Sequence, residues 1–492
     1  MTLATVLLAF LPLAASPEAE GVSSRKLLDW IDACERKVDC VHGFVLLRHG
    51  KLVAEGTWGP FDTLNRPHRL SSHSKCFVST AAGMLVDEGR LDLDERVIDI
   101  LPDLSPSDPS ENLRMLRVRD LMTMTMGAQK VSAGWPESVA RDWIRHKLSL
   151  PIDKRPGQAF EYDSDATHVL GEVVARKSGK PLMDFLKERL FAPLGVEKAW
   201  STVDPTGRPC AGWGFNMTTR EISLIGQLHL DRGVWNGRRL LSESWVAMAT
   251  AKQTWSGKSA TDVQPRNDWT LGFGFNIWRC QHGCFRADGA GGQFTIVMPE
   301  QEAVLSLNSD STNMQRILDV VWEHLLPALS AAALPEDAAA AARLRERCAA
   351  LALVPVAGTR QVDGRFLGRD CVFENPAGGV RGLRVDASAE GWTMKLTTEA
   401  GVYEVPVGFG RWRTGEVTFS PCRYEVLEYL VGRQPVAASG AVQEDGSFRI
   451  RMHLLDGTHR FEFVFRRKMF KPVVEMQSEG ITWGKASVAK IR

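Results

Sequence analysis

From about residue 25 to residue 330, short apolar runs alternate with longer amphipathic ones. Val41-His42-Gly43-Phe44-Val45-Leu46-Leu47-Arg48 reads as a strand, His49-Gly50-Lys51 as a turn, and residues 52–56 as the hairpin partner. Apolar residues then recur at helical spacing from Ser72 to about Glu88, where Gly89 is a natural stop. Residues 116–126 and 166–177 carry the same period. Strand patterns return at residues 271–279, 284–287, 292–298 and 303–308. At residues 331–354 the pattern breaks into an alanine-rich stretch around Pro335-Glu336-Asp337, which reads as a linker or linking helix. Residues 355–475 then show short strand-like runs, at 391–396, 416–419 and 447–454, separated by turn signals. The expected fold class is α+β, with a mixed domain over residues 25–330 and a small antiparallel β-barrel or sandwich over 355–475.

Length and composition agree with this division. A chain of 492 residues suggests roughly two to four domains. A hydrophobic content of 44% and a charged content of 24% are those of a globular protein. A net charge of +1 speaks against a broad nucleic-acid-binding surface. No apolar stretch is long enough for an ordinary membrane-spanning helix. The first sixteen residues are almost wholly apolar and end in Leu13-Ala14-Ala15-Ser16, before Pro17-Glu18-Ala19-Glu20 turns polar. Residues 1–20 therefore read as a secretory leader, although no Lys or Arg precedes the apolar run. The expected location is periplasmic or secreted, with a cytoplasmic chain as the alternative.

The nine cysteines are compatible with export without demanding it. Cys280 and Cys284 flank Gln281-His282-Gly283, a hairpin turn that would leave two facing thiols or a disulfide. A metal site using His282 lacks an evident fourth ligand and is the poorer reading. No cofactor is expected.

The candidate chemistry begins at Ser72-His73-Ser74-Lys75. Side chains three apart on a helix share a face, so the Lys75 amine can reach the Ser72 hydroxyl and take its proton. Two further copies of this spacing exist, Ser23 to Lys26 and Ser487 to Lys490. Only the copy at Ser72 opens a buried helix, where backbone N–H groups and the helix dipole favour a developing anion. Tyrosine is scarce: three of four lie in the β-rich part, at Tyr403, Tyr424 and Tyr429. The remaining one, Tyr162, follows the Pro156-Gly157 turn in Phe160-Glu161-Tyr162-Asp163-Ser164 and precedes a helix. It is a candidate proton relay, an ordinary buried tyrosine being the alternative. Asp288-Gly289-Ala290-Gly291-Gly292-Gln293 leads into a strand, where glycines let backbone approach a ligand. There the N–H of Gln293 could join that of Ser72 as an oxyanion hole. His73, about 100° around the helix from Ser72, and His168 read as structural.

The ordered set Ser72-x-x-Lys75, Tyr162-x-Ser164 and the glycine-rich strand start at 289–292 resembles the serine β-lactamase and penicillin-binding-protein superfamily. It is most similar to the class C-like branch, with its D-Ala-D-Ala peptidases, family VIII-type esterases and nylon-oligomer hydrolases. Leu116-Arg117-Val118-Arg119-Asp120-Leu121-Met122-Thr123-Met124-Thr125-Met126-Gly127 agrees with it, as does Gly214-Phe215-Asn216-Met217-Thr218-Thr219-Arg220-Glu221.

The resemblance implies an antiparallel sheet flanked by helices plus a helical subdomain. It also implies a serine acyl-enzyme: Ser72 as nucleophile, Lys75 and Tyr162 as proton carriers, and Ser164, Gly291, Gly292 and Gln293 around the substrate or oxyanion. The partner implied is a small-molecule or peptide-like ester or amide. Two departures stand out: serine replaces the usual asparagine at Ser164, and Gly289 or Ala290 replaces the lysine or histidine of the third motif. The second departure favours an esterase or amidase on less anionic substrates. The alternatives are a cell-wall D-Ala peptidase or β-lactamase, and a non-catalytic binding or sensor protein.

Overall fold

A computed structural model describes residues 11–128, 140–257, 264, 266–377, 379–419, 432–468, 471–479 and 485–490. Two compact units emerge: residues 1–56 with 63–350, and residues 57–62 with 351–492.

The first unit is built on six strands. Helix α1 (Ser24–Lys37) precedes the hairpin β1 (Val41–Arg48) and β2 (Lys51–Thr57). The helices α2 (Ser74–Asp87), α3 (Val118–Met122), α4 (Trp143–Ser149), α5 (Ser164–Ser178) and α6 (Thr219–Leu230) follow. The chain returns to the sheet through β3 (Trp278–Arg279), β4 (Phe285–Gly289), β5 (Gln293–Met298) and β6 (Ala303–Ser309), then enters α7 (Met314–Val320). The strand order is β2-β1-β6-β5-β4-β3, and β1, β6, β5, β4 and β3 pair antiparallel in turn.

Strands β1, β5 and β6 are buried along their whole length, because helices cover both faces of the sheet. This explains their continuous apolar runs, which resemble those of doubly covered sheets. On one face Trp30 of α1 meets Phe44 of β1 edge-on at 5.0 Å. On the other, α6 lies so close that a Cβ on Gly226 would stand 2.5 Å from Thr295 and 2.6 Å from Val304. Helix α2 is buried from Ser74 to Leu85, as a helix apolar on all sides must be.

Several elements differ from the expected ones for local reasons. The helix at 72–88 begins as a 3-10 turn, Ser71–His73, before α2 proper. The helix at 116–126 shrinks to α3: the Asp120 carboxylate accepts the Arg117 N–H at its start, and Met124 turns to φ 58° just beyond its end. Only Trp278–Arg279 of the run at 271–279 pairs as strand, since Gly272 and Asn276 take positive φ. Residues 11–20, assigned above to a leader, take part in the packing here. Leu11 is in the core, Leu52 donates to the Pro12 carbonyl, and Ala14 donates to that of Leu52. The alanine-rich stretch at 331–354 holds a helix, Ala338–Ala349, that belongs to this unit and buries Ala340, Ala341 and Leu344. Alanine's high helix propensity and the Asp337 N-cap account for it.

The second unit is all β. Its strands are β7 (Cys371–Ala377), β8 (Val380–Ser388), β9 (Gly391–Thr398), β10 (Gly401–Gly408), β11 (Arg413–Phe419), β12 (Gly432–Val442), β13 (Phe448–Leu454), β14 (Arg460–Lys468), β15 (Lys471–Glu479) and β16 (Lys485–Lys490). They form one sheet in the order β7-β8-β9-β10-β12-β13-β14-β15-β16, with β11 paired to β12. The first and last strands lie beside each other, so the sheet nearly closes. Its interior is filled by Phe373, Trp392, Phe448, Phe461, Phe463 and their apolar neighbours. Tyr424 and Tyr429 lie outside the described residues.

Candidate active site

The nucleophile candidate sits on the turn before α2. Ser71 takes φ 48°, a conformation uncommon for a residue other than glycine. Ser72 follows it, and Lys75 comes one turn later inside α2. Lys75 is 2% exposed. Its Nζ lies 2.8 Å from Ser72 Oγ, 2.9 Å from Ser164 Oγ and 2.6 Å from the Gly212 carbonyl. A carbonyl can only accept, so one N–H is committed to Gly212. In the neutral amine the second N–H suits Ser164, which leaves the lone pair for the Ser72 hydroxyl. Burial brings the Lys75 pKa down to about 7, against the fields of Asp163, Asp288 and Asp165, which favour the ammonium.

Tyr162 joins the same cluster. Its hydroxyl hydrogen-bonds Ser72, and Lys75 Nζ stands 4.8 Å from its ring centroid. Burial raises the phenol above its ordinary value while the bond to Ser72 opposes that, so the group is a phenol rather than a resident phenolate. Its ring stacks on Trp278 at 5.7 Å and meets Phe273 edge-on. The Met124 carbonyl accepts the Glu161 N–H and the Met124 thioether that of Asp163. The positive-φ bend after α3 thus fixes the segment carrying Tyr162. Asp163 then caps α5: one carboxylate oxygen accepts the Asp165 and Ala166 N–H groups. The other faces Lys147 Nζ of α4 at 2.5 Å, with both side chains buried.

Ser72, Lys75, Tyr162 and Ser164 therefore meet as the motif spacing implied. Residues 291–293 are placed differently. The Gln293 side chain is fully buried, donating to the Ser309 carbonyl at 2.6 Å and accepting from Asn308 at 2.9 Å. The Ser309 hydroxyl is bonded to the Gly291 carbonyl, and the Ser311 N–H donates to the same atom. It is Gly289, paired with Gln293, that touches the nucleophile turn: a Cβ there would stand 2.1 Å from the Leu70 carbonyl and 3.1 Å from the His73 nitrogen. The backbone that lies against the nucleophile turn is therefore that at Gly289, four residues before Gln293. Neither the Ser72 N–H nor the Ala290 N–H has an acceptor among the described residues.

The charged residues preceding Gly289 are Asp288 and, two before it on the same face of β4, Arg286. Arg286 Nε donates to Asp288 Oδ2 at 2.8 Å. Arg286 lies over the Trp269 ring at 4.4 Å from its centroid, with Trp278 and Phe294 nearby. His73 is buried and bonded to Thr295 Oγ1 at 2.9 Å, and burial lowers its pKa to about 3. His168 is bonded to Asp204 at 3.2 Å. Cys280 and Cys284 close the expected turn, with Cys280 N–H donating to the Cys284 carbonyl, and both are free thiols.

Residues 41–330 match the beta-lactamase family model. The chain belongs to the beta-lactamase family. Members similar to it span several chemistries. A 6-aminohexanoate-dimer hydrolase of Paenarthrobacter ureafaciens is 28% identical over 288 residues, covering 54% of this chain and 71% of that one. Penicillin-binding protein 4 of Amycolatopsis lactamdurans is 24% identical over 340 residues, covering 61% and 86%. Among solved structures, a family VIII carboxylesterase shares the fold with a TM-score of 0.50 at 17% identity, covering 62% of this chain and 97% of its own. This beta-lactamase-family chain thus has the fold of a family of hydrolases that includes amidases, esterases and penicillin-binding-protein-like members.

Proposed function

We propose that the first unit is a serine hydrolase that opens an ester or amide through an acyl-enzyme on Ser72. The observation that carries this reading is the 2.8 Å approach of a buried Lys75 amine, with its pKa near 7, to the Ser72 hydroxyl. The Lys75 lone pair takes the Ser72 proton as Oγ bonds to the carbonyl carbon. The carbonyl oxygen becomes an anion and accepts from the Ser72 and Ala290 N–H groups. The tetrahedral intermediate collapses by breaking the bond to the leaving group. Tyr162 hands that group a proton and is resupplied by Lys75. Water then attacks the acyl carbon by the same steps in reverse and restores the Ser72 hydroxyl. Ser164 holds Lys75 in register throughout.

The test is mass spectrometry after incubation with a fluorophosphonate probe. Labelling at Ser72 that vanishes in Ser72→Ala is the expected result, and folded protein left unlabelled would sink the reading. A second reading, a D-Ala peptidase or β-lactamase, draws on the similarity to a penicillin-binding protein. Turnover of nitrocefin or D-Ala-D-Ala peptides above that of p-nitrophenyl esters would favour it.

A further inference from the structure

Asp288 precedes the glycine that touches the nucleophile turn, and only one of its oxygens is used. Oδ2 accepts from Arg286 Nε. Oδ1 has no hydrogen-bond partner among the described residues, and it is not sealed from solvent. The residue as a whole is only 8% exposed, so the opening is narrow and local to that oxygen. The field of the carboxylate reaches both Lys75 and Tyr162, and the next residue, Gly289, lies against the nucleophile turn. Behind it, Arg286 is fully buried against Trp269 and Phe294. The guanidinium is thus closed off from solvent, while the outer carboxylate oxygen is not. The further carboxylates whose fields reach Lys75, Asp163 and Asp165, have the same sign.

We propose that Asp288 is a charge gate for the Ser72 site. Its outward oxygen accepts a hydrogen bond from, or pairs with, an ammonium or other cationic group beside the scissile bond, and it turns away substrates carrying a carboxylate there. This rests on the serine hydrolase reading and names its substrate class: neutral to cationic esters or amides. Arg286 is a positioning residue: burial raises the Asp288 pKa, and the charge of Arg286 and its bond to Oδ2 oppose that and hold the carboxylate in place.

Three acetate esters of matched shape test the gate: 3-(trimethylammoniomethyl)phenyl, 3-neopentylphenyl and 3-(carboxymethyl)phenyl acetate. At low salt the full-length protein should show kcat/KM for the cation above that for the anion by at least about tenfold, with the neutral ester between. Asp288→Asn should bring the cation-to-anion ratio within about threefold of unity, and Asp288→Glu should restore most of it. If Asp288→Asn fails to fold, the wild-type ratio decides alone. A wild-type ratio near unity then overturns the gate at any salt concentration, because a charge this buried is screened little. Hydrolysis of all three esters at similar rates would overturn the gate and leave the serine hydrolase standing. No hydrolysis of any ester, with no fluorophosphonate labelling of Ser72, would overturn both.

Discussion

Between residues 11 and 350 the protein buries ionisable side chains in quantity, among them Lys75, Lys147, Arg286, Asp163, Asp165 and Asp288. Beyond residue 350 the buried polar side chains among the described residues are Thr398, Ser439, Ser447, His453, Thr458 and His459, with no buried Asp, Glu, Lys or Arg. Taking an ion out of water costs several kcal/mol unless a partner and hydrogen bonds offset it. The first unit accepts that cost around Ser72 and meets it with pairs such as Lys147–Asp163 and Arg286–Asp288. The second unit packs Trp392, Phe448, Phe461 and their neighbours into an apolar interior and leaves its charges outside. The proposed reactivity sits in the unit whose interior is electrostatically expensive.

The largest expected effect that could break this contrast is at the nucleophile. Ser72→Ala should lower ester hydrolysis by at least about 10³-fold, roughly 4 kcal/mol of barrier, with an unchanged melting temperature. Retained turnover would place the chemistry elsewhere. Next is the ion pair behind Tyr162. Lys147→Met leaves the Asp163 carboxylate buried without its cation and should destabilise the first unit by about 3–5 kcal/mol in denaturant titration. Pairing it with Asp163→Leu should recover part of that loss, though not the α5 cap. A comparable loss in the other unit should come from a purely apolar change: Phe448→Ala should cost about 3–5 kcal/mol and leave the rate of Ser72 labelling within about twofold. A labelling rate that collapses with Phe448 would tie the β unit to catalysis and end the contrast. The smallest effect is at the exposed Arg433–Glu416 pair, where Arg433→Ala should cost under about 1 kcal/mol.

What could be read in advance follows the same physics. The serine-lysine spacing occurs three times, and the fold brings Ser72 and Lys75 to 2.8 Å. Ser23 is the N-cap of α1, its hydroxyl accepting the Lys26 N–H. Ser487 and Lys490 fall on strand β16, not on a helix. Tyr162 and Ser164 were legible because a turn and a helix start lie beside each other in sequence. A run of glycines does not say which one approaches a neighbour; the Gln293–Gly289 pairing and the contact of Gly289 with the nucleophile turn decide it. Asp288 and Lys147 were passed over because a charge in a sequence reads as surface until a fold supplies its partner.

The central claim is that a neutral Lys75 activates Ser72, and the pH dependence of the first-order rate of Ser72 labelling by a fluorophosphonate tests it most directly. The buried amine loses its proton as pH rises through about 7, so the rate should climb with a midpoint near 7 and level off above it, falling away as acid restores the ammonium. A rate that stays flat from about pH 5 to 9, or that rises only in the range of an ordinary lysine, would contradict it.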